Sequence, residues 1–219
     1  MKQILGTSYN IEDDIVGRIT FGKGNLFRRS NDILVCKDAT KPAFGYLATI
    51  TESTTFTSKE TPYCIVDSIE DFYEGDVVVI NKQGEIIFVY EINSNHNALM
   101  ATERCNHRCI MCPQPPILQE KDKTPFNQKL ISLFDKSTQE IGITGGEPTL
   151  IGDNLFTLIN HIKKVLPQTA ISILSNGVKF ADKEYAMKLA KCRHQDLQID
   201  IPLFSDIACL LYTSPSPRD

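Results

Sequence analysis

Cys105, Cys109 and Cys112 stand in the run Arg104-Cys-Asn-His-Arg-Cys-Ile-Met-Cys-Pro113. Three thiolates at C-x3-C-x2-C spacing can hold three corners of a [4Fe–4S] cluster and leave the fourth iron open. An open iron can bind a small molecule and pass it an electron. The rival chemistry is zinc, with His107 or His96 as a fourth ligand. Zinc sites usually pair C-x2-C with a second such pair or with a spaced His pair. This chain has no second pair, and His107 lies between two of the cysteines, a cramped position for ligating the same ion. An iron–sulfur cluster is therefore the expected occupant.

Two further polar motifs follow. In Gly145-Gly-Glu-Pro148 the glycines let the backbone approach a ligand without a Cβ, and Glu147 supplies a carboxylate suited to an ammonium group. Taken alone, the run is equally an ordinary turn with a surface Glu. In Ser175-Asn176-Gly177 a hydroxyl and an amide can hydrogen-bond a ribose or a carboxylate, or simply form a turn or helix cap. Asp200 and Asp206, with Ser205 between them, are carboxylates that either point into a lumen or are solvated or paired; the sequence favours neither.

The elements around these motifs give them a common place. Ala98–Thr102 is a short apolar strand leading into the cysteines, and Pro125–Lys136 has helical spacing in Phe126, Leu130, Leu133 and Phe134. Gln139–Thr144 is a strand ending in the double glycine. Residues 154–165 are amphipathic, 170–174 are a strand ending in Ser-Asn-Gly, 182–192 are helical, and 197–203 are a fourth strand. Strands alternating with helices imply βαβ units and a parallel sheet. Each motif follows a strand, and parallel α/β folds bind ligands at the carboxyl ends of their strands.

The first part of the chain differs. Asp14–Phe21, Ile33–Cys36 and Gly45–Ile50 read as strands, and Gly22–Asn25 as a turn. Asp76–Ile80 and Glu85–Tyr90 flank Asn81-Lys-Gln-Gly84 as a hairpin. Residues 1–95 are thus expected to be a small β-rich domain of illegible function, joined to a second domain at 96–208 by the Asn-rich stretch after Ile92. The chain has 219 residues with a net charge of −4, which argues against a general nucleic-acid binder. It has no tract long enough to span a membrane and no signal-peptide pattern, so a cytoplasmic location is expected. In such a compartment clustered cysteines mean metal or redox chemistry. Cys36, Cys64 and Cys192 are expected to be plain buried residues. Residues 209–219 resemble the translation of a sequencing adapter rather than a native end, so the reading frame is expected to be truncated after Ala208.

Together the cysteine loop, the Gly-Gly-Glu-Pro run one βα unit later and the alternating elements from Leu99 to Ala208 resemble the radical SAM superfamily. The resemblance implies an α/β fold: a partial (β/α) radical SAM barrel, truncated after about four strands and preceded by the small β-rich domain. It implies an enzyme with a [4Fe–4S] cluster on Cys105, Cys109 and Cys112 and S-adenosyl-L-methionine (SAM) as cofactors. Gly145, Gly146, Glu147 and Pro148 would meet the SAM amino group. Ser175 and Asn176 would lie near its ribose or carboxylate, and Met111 near the adenine, where the family often has an aromatic residue. No other catalytic side chain is assigned. A narrower resemblance, carried by Cys-Ile-Met-Cys-Pro-Gln-Pro-Pro116, by Asp-Ile-Pro-Leu-Phe-Ser-Asp206 and by the β-rich segment before them, is to the His-Xaa-Ser system maturases of the C-type. That implies a peptide substrate, a partner maturase and an electron donor such as flavodoxin or ferredoxin, with neither nucleic acid nor membrane as partner. The alternatives are the same core acting on a small molecule such as a deazapurine precursor, and a non-catalytic interaction module stabilised by zinc or a cluster.

Overall fold

The structure is a computed structural model that describes residues 2–22, 26–40, 44–109, 112 and 116–202, with the side chains of 26–28 left aside. Met111, Leu203, Ser205, Asp206 and the tail from residue 209 lie outside the described residues. The chain divides into two compact units, one of Met1–Ser94 with Leu133–Asp135, the other of Asn95–Ser132 with Lys136–Asp219.

The first unit is a closed barrel. Its strands are β1 (Gln3–Tyr9), β2 (Ile15–Thr20), β3 (Asp32–Val35), β4 (Ala48–Thr51), β5 (Tyr63–Val66), β6 (Val77–Ile80) and β7 (Glu85–Tyr90), in the order β1-β5-β4-β3-β2-β6-β7, with β1 also paired to β7. Closure removes every edge strand. The hairpin expected around Asn81–Gly84 is β6 and β7, paired antiparallel. Val77–Ile80 is apolar at every position and wholly buried, as suits a strand covered on both faces. Strands β1 and β5 escape the sequence reading. In β1 alternate positions are exposed, Leu5 among them, so its apolar pattern is weak. In β5 the apolar run is only four residues long.

Inside the barrel, Ile19, Ile33, Ile50, Val78, Ile80, Ile86 and Phe88 form one core with Cys64. Burial pushes the Cys64 thiol up to about 11, as expected of an inert packed cysteine. Cys192 is likewise buried in the second unit, and Cys36 is half-buried. Asp76 is fully buried yet caps two chain segments, since its carboxylate accepts from the backbone N–H of Tyr73 and of Ile92.

The second unit contains β8 (Asn97–Thr102), α1 (Thr124–Leu133) except its last residue, β9 (Glu140–Gly145), α2 (Asp153–Val165), β10 (Ala170–Leu174), α3 (Lys183–Lys191) and β11 (Leu197–Asp200). The four strands form a parallel sheet in the order β11-β10-β9-β8. The expected βαβ alternation is present. The expected partial barrel is met to the extent of this four-stranded sheet. Helix α2 turns Leu155, Leu158, Ile159 and Ile162 inward, the i, i+3, i+4, i+7 stripe of a helix with one dry face. Asp182 caps α3 by accepting from the N–H groups of Glu184 and Tyr185, and Lys163 closes its far end by donating to the carbonyls of Cys192 and Arg193. Among the described residues no helix is long and apolar enough to cross a membrane.

Gly84 shows how closely the barrel is built. It has φ +85°, and a Cβ there would fall 2.1 Å from the Gly6 carbonyl oxygen. Gly22 has a similar φ of +83°, but its Cβ would meet only Leu34 Cδ1, at 3.5 Å. Gly22→Ala is expected to cost about 1 kcal/mol, the left-handed penalty alone. Gly84→Ala should cost roughly 3 kcal/mol, because backbone must also move. Urea midpoints followed by far-ultraviolet circular dichroism will check the difference.

Candidate cluster and cofactor site

The polar motifs sit at the carboxyl ends of three neighbouring strands. The register pairs Thr102 at the end of β8 with Gly145 at the end of β9. Pairing then continues past the strands: Gly146 N–H donates to the Thr102 carbonyl at 2.8 Å, and Glu147 N–H to the Arg104 carbonyl at 2.8 Å. This requires two bare Cα positions. A Cβ on Gly145 would lie 2.1 Å from the Thr102 oxygen, and one on Gly146 would lie 2.2 Å from the Arg104 oxygen. The glycines thus admit a neighbouring strand's backbone, where the sequence suggested the approach of a ligand.

Glu147 is 1% exposed. Its Oε1 accepts from Thr149 N–H at 3.0 Å, Thr149 Oγ1 at 2.6 Å and Ser175 Oγ at 2.8 Å, and its Oε2 accepts from Asn176 N–H at 2.7 Å. Such a carboxylate can be buried because its charge is met by charge-assisted hydrogen bonds. It fastens the exit of β9 to the exit of β10. Pro148 is the first residue of the short 3-10 turn Pro148–Ile151, for which Glu147 is the N-cap. A capping carboxylate followed by Pro at the first helical position is a local signal that the sequence carried.

The three cysteines occupy the loop after β8. Cys105 and Cys109 are partly exposed and Cys112 is exposed. The Cys112 N–H donates to the Cys109 carbonyl at 3.0 Å. The His107 N–H points at Cys105 Sγ, 3.4 Å away. Burial, then the charges of Cys105 and Cys112, raise the Cys109 thiol above its ordinary value. The sulfurs therefore already feel one another, although among the described residues no group of three or more His, Cys, Asp and Glu stands ready to hold a metal ion. A bound cationic cluster would reverse that repulsion by stabilising thiolate. Three soft thiol donors on one loop, with an amide N–H aimed at the sulfur of Cys105, fit an iron–sulfur cluster in kind. His107 is buried with its Nδ1 beside Asn176 and Asn106, and His96 is exposed.

Sequence reasoning missed the anchor of this loop. Glu120, which follows the cysteines, accepts from Thr102 Oγ1 and from the Glu103 N–H, and Lys123 bridges Glu120 and Glu103. Both ends of the loop are thereby stapled together. Only the charge alternation in Glu120-Lys-Asp-Lys123 could have hinted at this, and such runs are usually solvated. Asp200 proves to be a paired carboxylate, accepting from Ser172 Oγ on the next strand.

Burial alone would raise the Glu120 carboxyl, but hydrogen bonds from Thr102, Lys123 and the Glu103 N–H outweigh it and hold the group below the ordinary carboxylate range. A carboxyl depressed in the folded state lends stability that is complete above its unfolded value and is lost as pH falls through its folded value. Glu120→Gln should therefore flatten the acid side of a plot of melting temperature against pH, while wild type falls more steeply there. Gly146→Ala should displace the Arg104 carbonyl and with it the entry to the cysteine loop. Iron content after anaerobic reconstitution is expected to drop at least severalfold, in the range that lost support around a metal site costs.

The family model described as the radical SAM superfamily matches residues 99–207. The chain is 29% identical over 117 residues to the GTP 3',8-cyclase of Desulforamulus reducens, covering 51% of this chain and 36% of that protein. It is 29% identical over 105 residues to the GTP 3',8-cyclase of Petrotoga mobilis, covering 45% and 32%. With that of Clostridium perfringens it shares 35% over 94 residues, covering 37% and 27%. The chain spans about a third of the length of these relatives. With its motifs on consecutive strand ends inside the matched stretch, the chain belongs to the radical SAM superfamily, whose cofactors are a [4Fe–4S] cluster and SAM.

Proposed function

We propose that this chain carries the SAM-cleaving part of a radical SAM enzyme that acts on a small molecule of the purine-nucleotide kind. The observation that supports the chemistry is the hydrogen-bonded assembly of the cysteine loop, Gly145–Pro148 and Ser175–Gly177 at three adjacent strand ends. Cys105, Cys109 and Cys112 are the cluster ligands in this reading. These residues would hold a cluster whose chemistry, once bound, would be one-electron reductive cleavage of the SAM carbon–sulfur bond for hydrogen abstraction from carbon.

What the chain's own residues do is hold and orient. The Gly145–Glu147 backbone forms the wall beside the cluster loop and offers its polar groups to the SAM amino group. The Glu147 carboxylate adds negative charge next to that group while its own oxygens stay committed to Thr149, Ser175 and Asn176. Met111, outside the described residues, is assigned to the adenine by its place before the third cysteine. No side chain here need move a proton for the electron-transfer step. The electron donor is a flavodoxin or ferredoxin, and the working compartment is the cytoplasm.

The small-molecule reading is favoured over the peptide maturase because the relatives reported above are all named for a reaction of GTP. A peptide substrate of the His-Xaa-Ser kind is the second reading. One observation favours it: a complete seven-stranded barrel precedes residue 99, outside the stretch matched by the family, and a small substrate needs no separate docking module.

The reading predicts a brown protein after anaerobic reconstitution with iron and sulfide, forming 5'-deoxyadenosine from SAM under a strong reductant. Cys109→Ala should abolish both colour and 5'-deoxyadenosine, because two thiolates hold too few corners of the cluster. A colourless wild type that binds zinc would replace catalysis with a structural role. Stimulation of 5'-deoxyadenosine formation by GTP, and not by a His-Xaa-Ser peptide, is the expected outcome of the substrate comparison; the reverse would select the maturase.

A further inference from the structure

Asn176 commits its backbone N–H and both ends of its side-chain amide to the protein. Its backbone N–H donates to Glu147 Oε2 at 2.7 Å, and its Oδ1 accepts from Val178 N–H at 3.1 Å. One Nδ2 hydrogen reaches Asn106 Oδ1 at 2.8 Å. The other faces His107 Nδ1 at 2.8 Å, which accepts it in the Nε2–H tautomer. Asn106 and His107 directly follow the first cysteine of the motif, and the His107 N–H is the one aimed at Cys105 Sγ. Although Asn106 and Arg108 on either side of it are exposed, His107 is buried. A single side chain at the end of β10 therefore grips the cysteine loop, while Glu147 at the end of β9 grips that residue's backbone.

We infer that Asn176 is a positioning residue for the cluster: through Asn106 and His107 it holds the Cys105–Cys109 segment in shape before any cofactor arrives. The inference rests on the radical SAM reading and assigns Asn176 a task other than the SAM contact that the resemblance implies. The chemistry follows from preorganisation. A loop that must order as it takes up a metal centre gives part of its binding free energy to that ordering, whereas a loop already held does not. Ser175 is committed in the same way, since its Oγ donates to Glu147 and accepts from the Gly177 N–H.

The test is cluster retention in the absence of SAM. The wild-type chain, Asn176→Ala, Asn176→Asp, Asn106→Ala and the double Asn106→Ala/Asn176→Ala variant are reconstituted anaerobically with iron and sulfide. Iron content and the rate of bleaching by a chelator are then read for each. Losing Asn176 should speed bleaching roughly tenfold or more, the usual range for a residue that supports metal ligands. Asn176→Asp should fail as Asn176→Ala does, because a carboxylate has no hydrogen to give Asn106. The double variant should be no worse than the weaker single one, as expected of two ends of one contact. Asn106 is exposed, so Asn106→Ala tests the same bond without risk to the core, and circular dichroism melts of the cluster-free chains should coincide. If both single variants bleach at the wild-type rate, and only the change that SAM makes to the electron paramagnetic resonance spectrum of the reduced cluster is lost, then Asn176 is a SAM contact and the inference falls. A wild-type chain that takes up no cluster defeats the superfamily chemistry itself, and is seen before any variant is compared.

Discussion

Much of the second unit depends on the close backbone approach at Gly145 and Gly146. Beyond the last paired residue of β9, the chain keeps hydrogen-bonding to the chain leaving β8, at 2.8 Å on both contacts. A side chain at either glycine would occupy the space of a carbonyl oxygen. Because the two backbones are fused there, the start of the cysteine loop cannot move independently of the Gly-Gly-Glu-Pro turn. The loop is fixed at its far side by the Glu103, Lys123 and Glu120 charges and by Thr102. A site that must receive a large inorganic group gains from walls whose positions are set in advance.

Charge is arranged to suit that fusion. A carboxylate as deeply buried as Glu147 is costly unless its lone pairs are satisfied, and here four donors satisfy them. Two of those donors come from across the sheet, so meeting the desolvation cost of one carboxylate also links β9 to β10. The thiols make a contrast. Burial first, and then the neighbouring Cys105 and Cys112, raise the Cys109 thiol above its ordinary value. One acidic group thus organises the site by linking two strand ends.

Element types in the second unit were readable because their periodicities are clean. The alternating apolar residues of Ile141 and Ile143, and of Ile171 and Ile173, give strands buried on the sheet's inner positions, and α2 carries a full helical stripe. The barrel was readable only in part. The hairpin of β6 and β7 declares itself through a local turn. Strand β1 instead closes the barrel by pairing with β5 and β7, more than fifty residues away, and no local pattern reports such a partner. Glu120 and Lys123 are a similar case: their value lies in meeting Glu103 across the loop, and a run of charges reads alike whether it is solvated or stapled.

By itself the sequence determined the chemistry available to this protein. Three thiols at fixed spacing, a double glycine and a carboxylate limit what can bind, because ligand type and count are local properties of the chain. It also determined that these groups follow successive strands. The tertiary structure decided what each group touches. It turned the glycines toward a neighbouring backbone, closed the Glu147 carboxylate behind four donors, and set Asn176 against the residues after Cys105. Those contacts join residues up to seventy positions apart, as between Asn106 and Asn176. The register of a parallel sheet, which brings distant strand ends side by side, is what creates them.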